Sequence, residues 1–245
     1  MRSVSHYDRV MILLSRAIEL VKKQAFKDAY SILMNALEYA DEIENIGEKT
    51  VAFIQVARLM YFIGRERKAR EILDSIMEEL GDITTDRGEF LRLTVEVESV
   101  RLGFVEADEL ENRLENIREK LYGFVMKYSS EEMSRYFLAF IVLIWAPYML
   151  ENNIQKAVDV LGGIVRDFSH LKEDPQYAEV LTTLAEVYAR LRKVDDALTK
   201  LKNAIEIYKR NLDEFRDTIR SILEFVRENF PDKYDEFLRE VDITE

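Results

Sequence analysis

Cysteine is absent from these 245 residues, which excludes disulfides and thiol chemistry at once. Glycine (8 residues) and proline (3) are scarce, so little of the backbone can be irregular. Glutamine is confined to positions 24, 55, 155 and 176, while lysine and glutamate abound, a charge-rich composition of the kind thermophile proteins carry. No glycine-rich phosphate loop and no G-x-S-x-G elbow occurs; Gly162-Gly163 falls inside a helical pattern. The two histidines, His6 and His170, lie far apart and outside any H-E-x-x-H spacing, so no metal site is expected. The longest uncharged run, Tyr136 to Leu150, has fifteen residues and is short of the ~20 that span a bilayer. The opening stretch MRSVSHYDRVMILLSRAIEL lacks a small-residue cleavage site and reads as an amphipathic helix rather than a leader. A cytoplasmic protein without membrane contact is expected.

What is present is apolar and acidic. Hydrophobic residues make up 48% of the chain, enough for a large core, and the net charge is −12. The densest basic runs, Arg65-Glu66-Arg67-Lys68 and Arg190-Leu191-Arg192-Lys193, lie in bends, so the chain should repel phosphate backbones and nucleic acid is not an expected partner. Carboxylate pairs such as Glu78-Glu79, Glu131-Glu132 and Asp195-Asp196 read as solvated helix faces in a chain with 47 acids. No nucleophile–base pair can be assembled, so an enzyme and a cofactor are not expected.

Nearly every segment has helical period, giving about twelve helices joined by short bends. Ser129 followed by Glu132 resembles a capping box, Asp174-Pro175 a cap before a first-turn proline, and Gly81 a helix stop. Pro231 suits the first turn of a last helix. The stretch Leu91 to Val97 alternates like a strand, but an isolated strand among helices has no ladder partner, so a helix is expected. Pro147 should kink or end its helix, and Trp145 implies either a one-residue slip of register or a wider hairpin there.

Aligning the bends reveals a repeat: KDAYSILMNAL, ERKAREILDSI, VEADELENRL, QKAVDVLGGI and DDALTKLKNAI. Their alanines, Ala29, Ala69, Ala107, Ala157 and Ala197, are separated by 40, 38, 50 and 40 residues. Each unit should be a helical hairpin whose second helix begins near that alanine, a small residue allowing two backbones to approach closely.

These units resemble tetratricopeptide repeats. Ala17, Leu20, Ala29, Leu33 and Ala36 match in the first unit, as do Ala57, Met60, Gly64, Ala69 and Leu73 in the second. Ala185, Tyr188, Ala197, Leu201 and Ala204 match in the fifth, and the match is poor in units three and four. The period exceeds the family's usual ~34 residues. The resemblance covers about residues 5 to 210 and implies an all-α solenoid of about six antiparallel hairpins, wound as a right-handed superhelix. The expected units within one domain, 1–245, are 5–45, 48–80, 87–127, 130–169 and 174–209, with a polar capping hairpin at 211–241.

The resemblance further implies that first helices line a concave groove. Its register puts Met11, Leu14, Ile18 and Val21 there in unit one, and Val51, Ile54, Arg58, Tyr61 and Phe62 in unit two. Ala139, Val142, Ala146, Met149 and Leu150 follow in unit four, beside Trp145, and polar Glu179, Thr182, Glu186 and Arg190 in unit five. The Lys/Asn/Arg clamp that some members use for a C-terminal carboxylate has no counterpart at these positions. Arg58 would meet either a ligand carboxylate or an acid of its own chain. Three readings of the apolar stretch stay open: a closed core, a groove for a partner peptide or helix, and homo-oligomerisation. The function expected from them is a non-catalytic protein-interaction scaffold, with Leu14, Ile18, Arg58, Tyr61, Phe62, Val142, Trp145 and Met149 as its binding residues. The alternatives are a ligand- or peptide-sensing regulator and a self-assembling structural subunit.

Overall fold

A computed structural model describes residues 5–242, and no strand occurs among them. The chain divides into two compact units, 1–124 and 125–245. The fold is all-α, built of helices packed as consecutive hairpins. The first unit holds α1 (His6–Lys22), α2 (Phe26–Asp41), α3 (Ile46–Phe62), α4 (Glu66–Gly81), α5 (Asp86–Arg101) and most of α6 (Ala107–Tyr128). The second holds α7 (Glu131–Phe140), a π-helical turn (Ile141–Trp145), α8 (Ala146–Asn152), α9 (Ile154–Asp167), α10 (Pro175–Arg190), α11 (Val194–Tyr208), α12 (Leu212–Asn229) and α13 (Tyr234–Val241). Asp174 caps α10 ahead of Pro175 as expected, and Pro231 opens a short 3-10 turn before α13.

The repeat is visible in the bends. Four of them place one residue at positive φ: Gln24 (59°), Gly64 (74°), Gly103 (72°) and Arg192 (59°). Each closes the same way. The N–H of the positive-φ residue donates three residues back, as Gly64 does to Tyr61, and the next N–H donates five back, as Arg65 does to Met60. This Schellman pattern satisfies the orphan carbonyls at the end of each first helix. A side chain at positive φ costs roughly 1–2 kcal/mol, partly offset in the unfolded chain when glycine replaces it. Arg192→Gly is therefore expected to raise the urea midpoint, corresponding to about 0.5–1 kcal/mol.

The repeat alanine follows five residues later. Ala29, Ala69 and Ala197 are fully buried where the two helices of a hairpin meet. Ala107 departs from this. It follows Gly103 by four residues, begins α6 and is exposed. Larger side chains join that hairpin instead. Phe90 meets Phe124 edge-on at 5.8 Å, and Arg113–Glu96 (3.5 Å) and Lys120–Glu89 (3.7 Å) pair across it. The segment Leu91 to Val97 is helical. Its alternation reflects a helix covered on several sides by α3, α4 and α6, which erases the one-sided period.

Three further expectations resolve in detail. α4 ends at Gly81 as expected, without a positive φ there; the guanidinium of Arg92 donates to the carbonyls of Leu80 and Ile83 at 2.7 and 2.8 Å. The cap of α7 is Ser130, not Ser129, which sits at φ 48°. Of the two outcomes open at Pro147, a kink or an end, the helix does not end there, and the one-residue slip expected at Trp145 takes the form of the π-turn. Ala146 N–H donates to Ile141 O, five residues back, and the helix continues to Asn152. Proline has no N–H to give, and the wide turn takes up one extra residue just ahead of it. The continuous run Glu131–Asn152 is, by length and composition, long and apolar enough to cross a membrane, with mean hydropathy 1.5, but half of that window is buried inside the fold.

Between hairpins the chain is pinned tightly. Gly88, capped by the Thr85 hydroxyl, lies against Ile83 so closely that an added Cβ would sit 2.5 Å from its carbonyl oxygen. Gly88→Ala is expected to lower stability by about 1–3 kcal/mol, measured by urea unfolding, because backbone must move to admit the methyl.

Candidate binding groove

In the first unit the first helices begin 40 residues apart, at His6, Ile46 and Asp86, so residues offset by 40 are equivalent. Ile18, Arg58 and Glu98 form one such row, and Val21, Tyr61 and Arg101 another. α1 packs on α3 and α3 on α5. A groove of about 410 Å³ runs along α1 and α3, open on one side. Its lining comes from Met11, Leu14, Ser15 and Ile18 of α1, from Gln55, Arg58, Leu59 and Phe62 of α3, and from Arg101 at the end of α5.

Leu14 is 3% exposed and anchors the floor to the core. Met11 (39%), Ile18 (40%) and Phe62 (70%) stand out toward solvent. Arg58 does not wait for a ligand. Its Nε and Nη2 donate to the Glu98 carboxylate at 2.7 and 2.5 Å, a two-pronged bond that matches guanidinium to carboxylate geometry. Glu98 is 1% exposed. Of the two fates open to Arg58, the acid of its own chain is realised. Arg101 Nη1 lies 3.8 Å from Glu98 Oε2, too long for a hydrogen bond, and its side chain is half exposed.

Tyr61 is placed differently from its neighbour. It packs edge-on against Phe104 at 5.8 Å, with Arg70 on that same ring, and does not line the groove. In the second unit, Trp145 and Met149 are fully buried and Val142 is half-buried. The extra residue of the π-turn rotates this segment, so Trp145 and Met149 face the core and offer no surface to a partner. Leu143, which the register did not single out, is 70% exposed instead.

The polar end projected for the fifth unit is present as such. Glu186 and Arg190 pair at 2.7 Å, and the hydroxyls of Thr182 and Thr183 donate back to the carbonyls of Ala178 and Glu179. Those threonines and Glu186 border a smaller cavity of about 280 Å³ with Leu201, Thr218, Ser221, Ile222 and Phe225. Burial, reinforced by the nearby Asp174, pushes the Glu179 carboxyl up. Burial also pushes the Tyr208 hydroxyl up, helped by Glu179. Both shifts favour the neutral forms.

His6 meets the carbonyl and carboxylate of Glu42 at 3.2 and 3.4 Å, and exposed His170 stacks on Phe168. Among the described residues no group of three His, Asp or Glu is placed to hold a metal ion. Sequence reading missed Ser15, Gln55, Leu59 and Arg101 as groove residues and Glu98 as the partner of Arg58. The signal for that pair was available, because the two lie one 40-residue period apart. No family model, curated protein or solved structure matches the chain.

Proposed function

We propose that this chain is a non-catalytic, tetratricopeptide-like scaffold for protein interaction, soluble and cytoplasmic, whose α1/α3 groove receives an apolar segment of a partner. The observation that carries the reading is Phe62, 70% exposed at the lip of a groove whose apolar lining also includes Met11, Leu14, Ile18 and Leu59. Aromatic and methionine side chains at a groove are favourable anchors because they bury large area at small entropic cost. The open side favours an extended or helical segment over a small ligand, which an enclosed pocket would hold better.

The test uses peptides selected from a random library for binding to the whole protein. Phe62→Asp should weaken them at least tenfold, about 1.4 kcal/mol, because it places a charge against the apolar contact. Its circular dichroism melt should match the native one, since the ring is mostly in water. Peptides that bind the native protein and Phe62→Asp equally would remove the groove from the proposal.

A further inference from the structure

The groove has a charge as well as a shape. The chain carries 47 acidic against 35 basic residues, yet no acid lines this groove and two arginines do. One of the two is already committed. Both prongs of Arg58 are held by Glu98, whose carboxylate is out of water. Arg101 is the second. Among the described residues it donates no hydrogen bond, and Glu98 lies at 3.8 Å.

One carboxylate between two guanidiniums leaves one positive charge over. That surplus sits at the groove wall, beside the apolar row of Met11, Ile18 and Phe62. A guanidinium near a partly dried surface is stabilised by a carboxylate that can accept from its planar fork. A lysine or arginine brought there would meet repulsion instead, with no groove acid to relieve it.

We infer that the occupant of the groove is an acidic amphipathic helix of a partner protein, seated by apolar side chains on Met11, Ile18 and Phe62 and by one internal Asp or Glu side chain on Arg101. The inference rests on the scaffold reading above and adds the chemistry of the partner. An apolar stripe in contact with these three residues, flanked by one acid, is the pattern the groove selects. The acidic exterior of the protein works against such a partner at long range, so selectivity comes from the local pair and fades with salt.

Three labelled fourteen-residue helical peptides test it. They share leucines at positions i, i+3 and i+7 and differ at one flanking position, which is Glu, Gln or Lys. Anisotropy titrations on the whole protein at low salt are expected to rank Glu over Gln over Lys, with at least tenfold between Glu and Lys. High salt should compress the ranking. Arg101→Gln should bring the three peptides within about twofold of each other while leucine-driven binding remains. Arg101→Lys, which keeps the charge, should retain part of the ranking. Phe62→Asp should weaken all three.

Equal binding of the three peptides, still lost in Phe62→Asp, overturns the acidic partner and leaves the scaffold reading standing. A ranking that survives in Arg101→Gln also overturns it, since the charge would be read elsewhere. No binding by any peptide, or binding indifferent to Phe62→Asp, fails the scaffold reading itself. Arg101-dependent binding of dodecanoate with none of the peptides bound would replace the protein partner by a lipid-like one and overturn the inference. Arg101 is half exposed at the end of α5, so both Arg101 variants are expected to fold, and matched melting curves confirm it.

Discussion

Arg58→Met is expected to destabilise the protein by roughly 3 kcal/mol, more than the loss of an ordinary half-exposed side chain. The cost lies in what it leaves behind. Glu98 would keep its position, 1% exposed, with its two-pronged partner gone. A buried charge stripped of one partner typically loses 3–5 kcal/mol. The lower end applies because the Arg58 side chain is one-third exposed and Arg101 stands 3.8 Å away as partial replacement. The pair as a whole contributes far less, since both groups gave up hydration to form it. The double variant Arg58→Met, Glu98→Leu should therefore lie within about 1 kcal/mol of the native protein. Urea unfolding of the native chain, both single variants and the double closes the cycle. If the double loses as much as the sum of the singles, the two residues act independently and the Arg58–Glu98 bond carries no coupling energy.

How much of this was legible in the sequence depends on how far a helix can be counted without interruption. In the first unit the 40-residue period holds from α1 through α5. A register carried along those helices therefore finds Leu14, Ile18, Arg58 and Phe62 at one groove. The alanines Ala29, Ala69 and Ala197 are readable for the same reason, each at a fixed distance from a positive-φ bend. Ala107 misled because the bend-to-helix distance changes there, and sequence alone does not show which residue turns to positive φ. Tyr61 misled differently. It is partly exposed but turned toward Phe104, in the bend after α5, rather than toward the groove, and contacts between bends and helices follow no period. The π-turn at Ile141–Trp145 is the deepest failure. One extra residue rotates everything after it by about 100°, the angle between successive residues of a helix, so a projection correct before the turn is wrong after it. Pro147 signalled a kink or an end and Trp145 a one-residue slip or a wider hairpin; the slip is what the π-turn supplies, but its place and direction could not be read from the residues.

That rotation gives the second large expected effect. Trp145→Ala should lower stability by about 4 kcal/mol and leave peptide binding at the α1/α3 groove governed by Phe62. The indole is fully buried, in a core that also holds Phe137, Met149 and Phe168. Tryptophan-to-alanine changes at such sites cost about 3–5 kcal/mol through lost contacts and the cavity left behind. Against a total of roughly 5–15 kcal/mol this is a large fraction, and the urea transition should move visibly by circular dichroism. Trp145 is the sole tryptophan, so native fluorescence reports directly on it. Its emission should be that of a dry indole and shift to the red on unfolding. Leu143→Ala is the control two residues away: at 70% exposure it should change stability by no more than about 0.5 kcal/mol. The contrast is specific to the widened turn, because it fixes which side of this segment faces the core. A reversed result, with Leu143→Ala costly and Trp145→Ala mild, would mean that the helix lacks the extra residue and that Trp145 lies on the surface after all.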